Sequence, residues 1–322
     1  MNHYFQRLYN FLTYLMSCKT GSMKKSVDSV FRNQERLDVL YEAFQKGDQK
    51  AIREFVSNRE DNSKLQKKIR HKDAKWDELK EDTVFKVTYL DEIVVVKLFP
   101  IEEDFPFHEI CGNIVATKAL EISPFFVRTL DIGKSDKNYI LVMEYLCTDT
   151  EGIDLDDPAN MYNFFYQTAY ALVELEKICE LVHFDLRYDN IMIKQLVEPR
   201  DLFKNGINSS FIVKIGDFGQ CEFKFGKDRP VNPDIPREPE YRKKWGFYPS
   251  VFSGYDFQYL LATLTPVLNN LQGISYYYIY SMLLNFIEPI QCTNAQYRPE
   301  IMTVKTPMDI LKFLKFKVAP TL

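Results

Sequence analysis

Between Val182 and Asn190 the chain reads VHFDLRYDN, with a His, an Asp and an Asn at fixed spacing in an apolar setting. Polar groups in such company are costly unless the fold gives them partners or chemistry to perform. Two further residues stand in similar surroundings. Lys97 closes the β-branched run VVVK, and Asp217 follows the run FIVKIG. A fold that accommodates them all must bring distant segments together, so these residues constrain the architecture more than composition does.

The pattern along the chain changes twice. Phe5, Leu8, Leu12 and Leu15 recur at helical spacing, and the start does not look like a secretory signal. Asn33 can cap a helix carrying Leu37, Leu40, Tyr41 and Phe44, which Gly47-Asp48 ends. Ala51, Ile52, Phe55 and Val56 suggest a second helix, and the charged residues 58–82 read as surface. From Val84 the signal turns to β. Val84–Tyr89 and Ile93–Phe99 form a hairpin about Leu90-Asp91-Glu92, and Glu109–Leu120 a helix. Phe125–Leu130 and Tyr139–Tyr145 are expected as further strands, with a turn at Gly133–Asp136. Past residue 158 helices dominate: Met161–Cys179, Phe257–Val267, Tyr276–Phe286 and Pro307–Leu314. Short β pieces lie at Ile191–Ile193 and Phe211–Ile215, and a loop-rich stretch at 219–254.

Bulk properties exclude several classes. A net charge of -4 gives no overall basic field, so sequence-specific nucleic-acid binding is not expected. The cysteines at 18, 111, 147, 179, 221 and 292 form no CxxC pair, which argues against zinc and a disulfide scaffold. Reduced thiols fit an intracellular protein. No apolar run approaches the roughly 18 residues of a membrane span, so no integral membrane partner is expected.

Taken in order, these segments resemble the eukaryotic-type protein kinases. HFDLRYDN (183–190) resembles the catalytic loop, DFG (217–219) the metal-binding motif, and VVVK (94–97) the strand bearing the nucleotide lysine. Glu109 opens the next helix, where the family keeps the lysine's partner; Glu102 and Glu103 are rivals. Met143-Glu144-Tyr145-Leu146 looks like the hinge between lobes, Asp256 like the Asp that organises the large lobe, and Arg298-Pro299 like the late structural arginine. The resemblance implies an α+β, bilobal fold with a small β-rich lobe (73–146), a large helical lobe (147–322) and an added helical extension (1–72). It also implies ATP and Mg²⁺. Lys97, kept oriented by Glu109, would hold phosphates, and Met143, Glu144 and Leu146 would border the base. Asn190 and Asp217 would bind metal, Asp185 would accept the hydroxyl proton, and Arg187 would steady the γ-phosphate. His183 reads as a structural loop residue rather than a base.

The departures are informative. Where the family folds a glycine-rich loop over the phosphates, Asp77–Val87 reads DELKEDTVFKV, with several acids and no glycine. Lys80 offsets part of that negative charge. An alternative alignment places the loop at Gly21–Phe31. Phe184 stands where many members have Arg, so activity without activation-loop phosphorylation is expected. No clear Ala-Pro-Glu triplet precedes Asp256. Arg242, Lys243 and Lys244 form a small basic patch, either a solvated surface or a site for an acidic peptide, phosphate or lipid headgroup.

Serine/threonine phosphorylation of a protein is the leading expectation. A basic protein is favoured if the acids at 149–157 steer substrate rather than form a solvated loop. The alternatives are a pseudokinase-like scaffold, a small-molecule kinase or an AMP-transferring enzyme. The helical extension is a candidate face for a partner protein. Heavy use of Phe, Tyr, Asn, Ile and Lys suggests AT-rich coding, and with the divergence resembles kinases of large DNA viruses or bacterial effectors. The expected location is the cytoplasm, a host's if the chain is viral or a secreted effector.

Overall fold

The computed structural model describes residues 33–80, 83–146, 148–149, 153–232, 255–268, 275–287 and 305–321. The expected helix at Phe5–Leu15, the alternative loop at Gly21–Phe31, the basic patch at Arg242–Lys244 and Arg298-Pro299 lie outside them.

Three short helices come first: α1 (Gln34–Lys46), α2 (Gln49–Val56) and α3 (Arg59–Ile69). The Asn33 side chain accepts the Arg36 N–H at the start of α1, and Asp48 caps α2 through the Ala51 N–H. Gly47 ends α1 in the left-handed region, at φ 71°. Its backbone lies so close to Gly226 that a Cβ on Gly226 would sit 2.9 Å from the Gly47 Cα. Leu37, Leu40 and Phe44 bury one stripe of α1.

A five-stranded antiparallel sheet follows, built from β1 (Lys75–Lys80), β2 (Val84–Tyr89), β3 (Glu92–Pro100), β4 (Thr129–Lys134) and β5 (Asn138–Glu144). Its order is β1-β2-β3-β5-β4. Leu90 and Asp91, both at positive φ, form the two-residue turn between β2 and β3, which suits the right-handed strand twist. Helix α4 (Phe107–Ala119) connects β3 to β4.

Two expectations need correction here. The strand placed at Phe125–Leu130 lies four residues later. Phe125–Val127 is instead a buried crossing with a single bridge, Phe126 to Ile215. Within the charged 58–82 stretch, α3 buries Leu65 and Ile69, and Lys75–Lys80 forms an exposed edge strand.

The three helices pack on this sheet and on α4. The Asn33 N–H donates to the Leu130 carbonyl, Lys134 donates its N–H to Asn62, and buried Arg36 lies 3.6 Å from buried Asp131.

The remainder is mainly helical. It comprises the small sheet β6 (Thr148–Asp149), β7 (Ile191–Arg200) and β8 (Ser209–Ile215), with α5 (Pro158–Cys179), α6 (Tyr255–Leu268), α7 (Ser275–Ile287) and α8 (Pro307–Phe313). Asp157 caps α5, with Pro158 in its first turn. Gln167 ties α5 to β8, donating to Ser209 and Phe211 and accepting from Val213. The result is a mixed α/β fold, β-rich at its N-terminal end and helical at its C-terminal end. No helix among the described residues is long and apolar enough to cross a membrane. Cys111, Cys179 and Cys221 are buried free thiols.

Candidate active site

The cleft between the five-stranded sheet and the helical region brings the polar residues together. Lys97, on β3, donates to Glu109 Oε2 at 3.1 Å and to Asp217 Oδ1 at 2.7 Å. Glu102 and Glu103 are exposed, so Glu109 is the acid that reaches the lysine. Burial acts against the Lys97 charge, but the two carboxylates outweigh it and hold its pKa above the ordinary value. Burial raises the Glu109 pKa despite Lys97. Burial would also raise Asp217; Lys97, chiefly, reverses that and holds the carboxyl below its usual range, with smaller help from His183 and Lys80.

The segment 183–190 is held from beneath. Asp256, at the start of α6, is buried and accepts the backbone N–H groups of His183 (2.7 Å) and Phe184 (2.8 Å). Phe184 has φ 62° and Asp217 φ 60°, conformations that non-glycine residues adopt only where surroundings enforce them. Phe184 is buried against the Tyr255 ring. A His183 ring nitrogen lies 2.9 Å from the Gly216 carbonyl, which fits a structural rather than a proton-transferring position.

Asn190 donates its side-chain amide to the Asp185 carbonyl (2.8 Å) and carboxylate (3.0 Å). That orientation leaves the Asn190 Oδ1 on offer to a cation. Arg187 Nε lies 3.8 Å from Asp185 and 3.9 Å from Asp189, with its side chain half exposed.

Of these groups, Lys97, Glu109, Asn190 and Asp217 line a cavity of about 260 Å³. Val84, Val95, Val127, Met143, Leu146 and Met192 give it apolar walls, and Lys80, Lys97, Glu109, Asn190 and Asp217 a polar end. Such a slot suits a flat apolar group attached to an anionic one. Glu144 also borders it, but its carboxylate is committed to Lys214 (3.0 Å) and the Arg128 N–H (2.9 Å). Among the described residues no group of three or more His, Cys, Asp or Glu is arranged to hold a metal alone. Mg²⁺ does not need one, because it keeps waters and takes phosphate oxygens beside one or two protein ligands. Asp217 and Asn190 fit that donor set.

Sequence reasoning missed four supporting residues. Asn113 donates to Glu109 Oε1, orienting the acid from the next turn of α4. Buried Lys214 donates to the Phe126 carbonyl and to Glu144. It carried the same signal as Lys97, a lysine inside a β-branched run. The Tyr259 hydroxyl lies 3.5 Å from Asp185. Gly112 lets α4 close on Phe218, since a Cβ there would lie 2.5 Å from the Phe218 Cβ. Gly112→Ala is therefore expected to push α4 outward, lowering stability by about 1–3 kcal/mol. Thermal melts test this; an unchanged melting temperature would remove Gly112 from the account.

Of the acids at 149–157, Asp154 and Asp157 accept local backbone N–H groups as turn and cap residues.

No protein-family model matches the chain, and no curated protein matches it. Among solved structures it is similar to the BubR1 kinase domain, with 14% sequence identity, a TM-score of 0.49, and coverage of 77% of this chain and 79% of that one. The expected origin in a large DNA virus or bacterial effector has no support from these comparisons.

Proposed function

We propose that the protein is an ATP- and Mg²⁺-dependent kinase that transfers the γ-phosphate to Ser or Thr hydroxyls of a protein substrate. One observation carries this reading: Lys97, Glu109, Asp217 and Asn190 line one largely apolar cleft of about 260 Å³, and Asn190 reaches from it to the Asp185 carboxylate. Phosphoryl transfer asks a protein mainly for position and charge. Lys97, oriented by Glu109, would hold phosphate oxygens. Asp217 and Asn190 would hold Mg²⁺, which when bound neutralises charge on the phosphates. Asp185, fixed by Asn190 and the Asp256-anchored loop, would align a hydroxyl and accept its proton. Met143 and Leu146 would border the base, and Arg187 would face the transferring group. The preference for Ser/Thr and for a protein acceptor comes from the motif resemblance alone.

A second reading has its own support. The β1–β2 hairpin lacks glycine and carries acids, which suits a scaffold that does not transfer phosphate. Transfer of labelled γ-phosphate with Mg²⁺ to a basic protein, an acidic protein or the enzyme itself separates the two. The kinase reading expects label in at least one acceptor. No label, together with no ATP-induced thermal shift, would leave the scaffold.

A further inference from the structure

The glycine-free hairpin raises the question of what replaces the backbone amides a glycine loop would aim at phosphate. The register answers from the strands outward. Trp76 pairs with Val87 and Glu78 with Phe85, but Lys80 pairs with Val84, so Leu79 is an extra residue and β1 bulges there. Without the bulge, Lys80 would share the face of Trp76, whose indole bonds the Ile69 carbonyl away from the cleft. With it, both Leu79 and Lys80 turn into the cleft, and both line its wall. Val84 pairs in turn with Lys97. Lys80, Val84 and Lys97 thus form one row across three strands, all facing the cavity. The Lys80 charge is felt at Asp217.

We propose that Lys80 is a second phosphate-binding residue, turned inward by the β1 bulge to grip, with Lys97, the polyphosphate of the bound nucleotide. The inference rests on the kinase reading and deepens it: a side-chain cation takes over from main-chain amides. Lys97 is already shared between two carboxylates, so a triphosphate gains from another cation on the opposite side of Val84. Binding strength should then track phosphate number, because Lys80 has no part in holding the base.

Calorimetric titration of adenosine, ADP and ATP with Mg²⁺ tests this on the full chain and on Lys80→Ala and Lys80→Arg. Lys80 is exposed on an edge strand, so both variants should melt with the unaltered protein. Lys80→Ala is expected to weaken ATP by about ten-fold, ADP by less and adenosine not at all, with Lys80→Arg close to the unaltered protein. Equal affinity of Lys80→Ala and the unaltered protein for ATP would overturn the inference alone. So would equal weakening of adenosine and ATP. An unaltered protein that binds none of the three would overturn the kinase reading and this inference with it.

Discussion

Asp217→Asn is expected to lower Mg²⁺-dependent phosphate transfer by about 1,000-fold or more, with little change in melting temperature. Asn keeps an oxygen for Lys97, which lies 2.7 Å from the present carboxylate, so the local fold should persist. What it loses is the negative charge a divalent cation needs. Asp185→Asn should also abolish transfer, yet retain ATP binding, since the role proposed for Asp185 is to align the acceptor hydroxyl and take its proton. Initial rates and nucleotide affinity measured on both variants separate these effects. Transfer by Asp217→Asn at an undiminished rate would strike the metal assignment out.

The second large effect is on stability. Asp256→Ala is expected to cost about 3 kcal/mol or more and to lower the melting temperature by roughly 5–10 °C, because two buried backbone donors lose their acceptor. Phe184 would also lose the restraint on its left-handed backbone, and Asp185, next in sequence, would lose its position. The pH dependence carries a sign. Burial raises the Asp256 pKa from 3.8 to about 6. The native state then holds this proton more tightly than the unfolded chain does. The Asp256 contribution is most favourable below about pH 4 and is lost as pH rises through about 6, an amplitude of about 3 kcal/mol. Denaturant titrations between pH 4 and 7 should reveal this component as a difference between the unaltered protein and Asp256→Asn. Parallel pH profiles for the two would contradict a raised Asp256 pKa.

The sequence was most legible where one local signal sufficed. Asn33 and Gly47 bounded α1 because cap and stop chemistry is carried by single side chains. Val84–Phe99 read as a hairpin because its alternation is clean and its turn short. Lys97, Asp185, Asn190 and Asp217 stood out as polar groups in apolar runs. β1 was illegible because KWDELK is exposed throughout and offers no alternation. β4 was displaced because FFV (125–127) is the more apolar run, while Thr129–Lys134 contains Asp131, whose burial depends on Arg36 from a distant helix. The same limit hid Glu144's commitment to Lys214, seventy residues away, and the bulge at Leu79. Long-range partners decide such features, and no local window contains them.

The approach of Gly47 to Gly226 has a consequence for how the chain can change over evolutionary time. Both residues sit at positive φ, and neither has room for a side chain against the other's backbone. A substitution at one site alone must separate α1 from the segment that follows Asp217. Both positions should therefore stay glycine for as long as this contact is kept, so the history of the N-terminal helices is tied to that of the segment after Asp217.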